Sequence, residues 1–258
     1  MSSLFFMGYH STYICTYYWS FRNKRKVYME TIKPILILLL SSILFSQSYT
    51  VSILGYHVAD LKKTNSSLDK IDFELQTRGL VDFFYPTKNK YSTNYNHETF
   101  YLTSYNYSID QINLKENQTS TKDSADIKNY DNSDSIKNVF NFITFLELIK
   151  NKKPSEIDTR WFPYETNKTI GEARVIWADS SNVYSGKDSV LCNRYRLDII
   201  MPEIAINKEI DYLNKILSFD ENVKEVWVSV KLPEIYQIKI KNDLFSLDVK
   251  INEKNVTE

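Results

Sequence analysis

From Tyr49 onward, apolar and polar residues alternate along much of this chain, the period of two that half-buried strands require. Tyr49, Val51 and Ile53 alternate with Thr50 and Ser52, and residues 54–58 carry the pattern past Gly55. Ile71, Phe73 and Leu75 repeat it. Gly79 interrupts the run, and Leu80-Val81-Asp82-Phe83-Phe84-Tyr85 reads as its resumption until Pro86. Tyr91, Tyr95, Tyr101, Tyr105 and Tyr107 follow, a residue type suited to a half-wet pleated surface. Ile109, Ile112 and Leu114 close this first β region, and residues 116–133, rich in Asn, Thr, Ser, Asp and Lys, read as a loop.

The period then changes. Ile136, Val139, Phe140, Ile143, Leu146 and Ile149 recur at three- and four-residue spacing, which predicts an amphipathic helix over residues 135–150. Asp131, Ser133 or Asp134 can cap its start, and Pro154 stops it beyond Lys150, Lys152 and Lys153. Phe142, Phe145 and Leu148 widen the apolar stripe, so the helix is largely enclosed. After a loop at Trp161-Phe162-Pro163, alternation returns. Ala173, Val175 and Trp177 form one strand face, and Leu191, Asn193, Tyr195, Leu197 and Ile199 the next. Ile206, Ile210, Leu213 and Leu217 fit a short helix. Val226, Val228 and Val230, then Tyr236, Ile238 and Ile240, then Phe245, Leu247, Val249 and Ile251 predict a final meander, with a turn at Lys241-Asn242-Asp243.

The pattern predicts a mainly β fold: a curved antiparallel sheet or incomplete barrel, with the long helix packed on its concave side. Phe140, Phe142, Ile143, Phe145 and Leu146 exceed the apolar stripe of about 100° that a helix on an open sheet needs. With Trp227 they are the candidate lining of an apolar pocket.

Upstream, the pattern is of another kind. Residues 34–45 are a nearly unbroken apolar run, shorter than the roughly 20 residues of a membrane helix. Lys33 precedes it and Ser46-Gln47-Ser48 follows, the layout of a signal peptide over residues 29–48. An uncleaved anchor is the alternative. Residues 1–28 crowd Phe5, Phe6, Tyr9, Tyr13, Tyr17, Tyr18, Trp19 and Phe21 without order and read as a gene-model extension ahead of Met29. That leaves residues 49–258 as one exported domain, large enough to bury a core.

Composition narrows the chemistry. The chain carries 32 basic and 32 acidic residues. Without Arg22, Lys24, Arg25, Lys26, Lys33 and Glu30, 27 basic and 31 acidic remain, which gives no footprint for nucleic acid. Only Cys192 lies beyond the leader, so no internal disulfide forms there, and a packed core thiol is its expected role. His57 and His97 are forty residues apart, and Gly55, Gly79, Gly171 and Gly186 make no phosphate loop or nucleophile elbow. Asp131-Asn132-Ser133-Asp134 lacks the glycine and the distant Glu of a calcium loop, and helix capping explains it better. No cofactor and no catalytic residue is expected. Trp161, Trp177 and Trp227 could stack a sugar, although Trp is an ordinary strand residue.

Three short patches carry a resemblance: Gly79-Leu80-Val81-Asp82-Phe83, Asp134-Ser135-Ile136-Lys137-Asn138-Val139-Phe140-Asn141-Phe142, and Val226-Trp227-Val228-Ser229 with Pro233. In these and in the order of its elements the chain resembles an uncharacterised family of exported Gram-negative proteins, catalogued as domain of unknown function 3108. Val230-Lys231 replaces that family's acidic pair, and residues 203–219 look like extra material. The resemblance implies an exported β-rich fold and transfers no catalytic residue. The expected role is a non-enzymatic periplasmic protein that binds a lipid or other apolar ligand, or an envelope protein. A structural or interaction domain with a filled core is the alternative, and an envelope hydrolase the third reading.

Overall fold

The computed structural model describes residues 46–121, 138–166, 168–185, 188–202 and 212–252. They build one sheet of twelve strands: β1 (Ser46–Ile53), β2 (Tyr56–Ser67), β3 (Lys70–Thr77), β4 (Lys88–Tyr95), β5 (Leu102–Gln111), β6 (Leu114–Thr121), β7 (Trp161–Thr166), β8 (Thr169–Ser185), β9 (Asp188–Ile200), β10 (Val223–Ser229), β11 (Ile235–Lys241) and β12 (Ser246–Ile251). The order is β6-β5-β4-β3-β2-β1-β12-β11-β10-β9-β8-β7, with antiparallel pairing throughout. Among the described residues, four helices accompany it: α1 (Gly79–Phe84), α2 (Phe142–Asn151), α3 (Pro154–Ile157) and α4 (Tyr212–Ser218). The expected class, a curved antiparallel sheet that does not close, is the one found.

β6 and β7 are the two edges of that sheet, and the segment ahead of α2 stitches the regions beside them. Leu102 of β5 donates its N–H to the Val139 carbonyl at 2.9 Å. Phe140 donates to the Pro163 carbonyl of β7 at 2.9 Å and accepts from Glu165 at 2.7 Å. Pro163 is tolerated because β7 is an edge strand. The expected loop at Trp161-Phe162-Pro163 is therefore strand.

Other expectations change for identifiable reasons. The run from Ile53 to Val58 is two strands: Leu54 and Gly55 both have positive φ (50° and 86°), as a tight hairpin turn demands. Residues 80–84 are helix, not strand. Leu80, Phe83 and Phe84 sit at helical spacing, and α1 buries none of its residues, with Phe83 80% exposed. Residues 116–121, assigned to a loop, pair with β5 from Ser104↔Thr121 to Ile109↔Glu116, because backbone pairing needs no apolar side chains. The tyrosines of β4 and β5 are not half wet: Tyr91, Tyr95, Tyr105 and Tyr107 are buried. Trp177, just before a bulge at Asp179, is 43% exposed, unlike Ala173 and Val175.

The long helix is shorter than its periodicity suggests. It starts at Phe142, capped by Asn141, so Val139 and Phe140 are extended residues of the seam. Asp131, Ser133, Asp134 and Ile136 lie outside the described residues. Pro154 opens α3 as well as ending α2. Leu213 and Leu217 fall on α4, whereas Ile206 and Ile210 lie outside the described residues. The last hairpin turns where expected: Asn242 accepts backbone N–H groups of Leu244 and Phe245 at 2.8 and 3.0 Å.

Two apolar clusters form. One joins α2 to β3–β5 and β7–β11 through residues such as Ile71, Leu102, Tyr164, Leu197, Val226 and Ile235. The other holds Tyr49, Val51, Cys192, Trp227, Tyr236 and Val249, with no helix residue among its buried members. Cys192 is buried as expected, and burial pushes its thiol up to about 11.

Candidate functional site

The concave face, with α2 on it, is the candidate site. Asn141 starts the helix through a capping box. Its side chain accepts from the Thr144 N–H at 2.9 Å, and its own N–H donates to Thr144 Oγ1 at 3.0 Å. The Asn141 amide also donates to the Tyr107 hydroxyl at 2.7 Å, fixing the helix start to β5. Replacing Asn141 with alanine is expected to cost about 2 kcal/mol, from the lost cap and the lost phenol contact. Urea unfolding measures it, and an unchanged midpoint would remove the cap from this account.

Beyond the cap, every residue from Ile143 to Ile149 is buried, so neighbours enclose α2 on all sides. Phe145 is at the middle. Its ring lies 5.9 Å from Phe140, 5.8 Å from Phe162 and 6.3 Å from Tyr164, mostly edge-to-face. The structure thus gathers Phe140, Ile143, Phe145 and Leu146 in the helix cluster, with Phe142 half-buried against it. Trp227 does not join them. On β10, Val226 and Val228 belong to the helix cluster while Trp227 belongs to the other, because successive strand residues point to opposite faces. Its indole N–H donates to Ser181 Oγ at 3.2 Å.

Phe142 and Ile143 do line a void, but its volume is about 20 Å³, room for about one water. Asn141, Glu165, Thr166 and Asn214 make much of its wall polar. A more open depression of about 440 Å³ involves the outward row of β2–β5, where Lys62, Glu74 and Lys90 are cross-strand neighbours. Lys90 pairs with Glu74 there at 3.2 Å, so its charges answer one another.

A second feature of the concave face is a buried ionic cluster. Lys63 Nζ on β2 lies 2.8 Å from Glu147 Oε1, and Lys150 Nζ bonds the other carboxylate oxygen. Lys63 and Glu147 are 3% and 4% exposed. Burial alone would raise the Glu147 carboxyl, but the two ammonium groups outweigh it and hold it below the ordinary value. Burial and the Lys63 charge push Lys150 down, against the opposing pull of Glu147 and Glu234. Burial, with the Glu147 charge among the further causes, raises the Tyr49 phenol and takes that of Tyr95 up to about 12. The Glu147 carboxylate therefore bridges two basic side chains, one on the sheet and one on its own helix.

Sequence reading missed these three residues, although a signal exists. Glu147 is the one charge within Phe142-Ile143-Thr144-Phe145-Leu146-Glu147-Leu148-Ile149, a helix apolar on every side. Lys63 continues the inward row of Ala59 and Leu61 on β2. Among the described residues, no three His, Cys, Asp or Glu side chains converge as a metal site, and no helix is long and apolar enough to cross a membrane.

No family model and no curated protein matches the chain, so membership of the exported family it resembles is not shown. Among solved structures it is similar to a β-barrel-like protein of domain of unknown function DUF1849 from Brucella abortus, at 7% identity, 80% coverage of this chain and 94% of that one, and a TM-score of 0.41. It is also similar to the hypothetical lipoprotein YmcC from Escherichia coli, at 8% identity, 81% and 87% coverage, and a TM-score of 0.35.

Proposed function

We propose that the chain is an exported, non-enzymatic envelope protein that works as a structural or interaction domain, with α2 filling the place a ligand would take. One observation carries this reading. Seven consecutive buried residues of α2 occupy the concave face, and the void beside them has room for about one water. A lipid carrier needs a cavity of several hundred Å³. Large apolar side chains left in water on α1, Leu80 and Phe83 above all, support the interaction half of the proposal. Export rests on the basic and apolar layout of residues 29–48.

Native mass spectrometry of protein purified from the cell envelope, followed by lipid extraction, tests both halves. The expected mass is that of a chain starting between Gln47 and Tyr49 with nothing bound. A mass that retains the apolar run would overturn cleavage, and a co-purifying apolar molecule would restore the carrier reading.

A further inference from the structure

We propose that Lys63, Glu147 and Lys150 form an acid-sensitive latch: protonating Glu147 releases α2 from the concave face while the part of the sheet around β10–β12 stays folded. The geometry places one carboxylate between two buried ammonium groups, one on the sheet and one on the helix. The other titratable groups whose charge is felt at the cluster are Tyr49 on β1, Tyr95 on β4 and Glu234 ahead of β11. Neither phenol ionises in the acid range, so neither can replace the lost negative charge. Glu234 acts on Lys150 at longer range but forms no ion pair with it within 4 Å. Once Glu147 is neutral, Lys63 and Lys150 face each other with no carboxylate between them. Burying such charges uncompensated is far costlier than solvating them, and moving α2 outward solvates both Lys150 and Lys63.

The division of the core explains why release need not be global unfolding. The buried members of α2 pack in the cluster with β3–β5 and β7–β11, to which β10 and β11 contribute Val226, Val228 and Ile235. β1, β2 and β8–β12 share the second cluster, from Tyr49 and Val51 to Trp227, Tyr236 and Val249, which contains no buried helix residue. With α2 displaced, Ile71, Leu102, Tyr164 and Leu197 would face an apolar trough that the helix covers at neutral pH. Such a fold opens in steps of unequal stability.

Hydrogen exchange of the full chain between pH 7 and pH 3, corrected for intrinsic rates, tests the latch. The expected result is loss of protection at Ile143 through Ile149 below the carboxylate range, by up to about tenfold per pH unit for one coupled proton. The amides of β10, β11 and β12 keep theirs over the same range. A variant carrying Lys63→Met, Glu147→Leu and Lys150→Met, which lacks all three charges, is expected to keep its helix protected throughout. Simultaneous loss in the helix and in β10–β12, or a helix protected down to pH 3 in the unaltered chain, would overturn the proposal. So would a folded triple variant that opens at the same pH as the unaltered chain. If the triple variant does not fold, the order of opening in the unaltered chain still decides.

Discussion

Replacing Phe145 with alanine is expected to destabilise the protein by about 3–5 kcal/mol, from the lost transfer energy of the ring plus the cavity left behind. Phe145 is 0% exposed and stands where three elements meet: the seam residue Phe140, the edge strand β7 through Phe162 and Tyr164, and its own helix. Collapse around the gap is limited, because the seam residues are tied by backbone hydrogen bonds to Leu102, Pro163 and Glu165. Phe83→Ala is the control. That ring is 80% exposed on α1, and its removal is expected to change stability by less than about 0.5 kcal/mol. Urea unfolding of both variants gives the comparison. Equal midpoints would mean that α2 is an ornament on the sheet and not part of its core, and the filled-interior reading would fall with that result.

How much of this was legible follows from what each signal measures. Alternation reports burial on one face, so it found β3, β10, β11 and β12, where Ile71, Val226, Ile240 and Val249 are buried. It is blind to strands held by backbone pairing alone. β6 carries Lys115, Glu116, Asn117 and Gln118 with no inward apolar row, and only its ladder with β5 reveals it. Alternation also misleads where both faces are covered. Trp227 and Cys192 point to one cluster while Val226 and Tyr195 point to the other, so apolar content by itself could not say which face meets the helix. Helical spacing placed the end of α2 within one residue but started it seven residues early, running through Val139 and Phe140. Those two are apolar because they cross the seam, where extended residues face the core as firmly as helical ones. The ionic cluster lay beyond both signals, since it joins a strand residue to a helix residue 84 positions away.

Glu147→Gln is expected to cost about 3–5 kcal/mol at pH 7, the usual penalty for removing one partner of a buried ion pair. The amide can still accept one hydrogen bond, but it brings no charge to oppose Lys63 and Lys150. Of those two, Lys63 is 3% exposed and Lys150 only slightly more so at its side chain. The pH dependence separates this cause from lost packing, because glutamine keeps the shape of the side chain. Glu147 has its folded-state carboxyl held below the unfolded value of about 4.3. Its contribution is therefore present in full above that value and disappears as the pH falls through the folded value. The gap between the unaltered chain and the variant should be constant from pH 7 to about pH 5 and narrow steadily below about pH 4. Lys150 acts in a different window. Its folded value is depressed, so its penalty is complete below that value and is relieved as the pH rises through it toward the unfolded value of about 10.4. It leaves the acid comparison untouched. Urea midpoints of both proteins at pH 7, 5 and 3 measure the effect, and a gap of the same size at all three would show that the carboxylate's charge does not hold the helix.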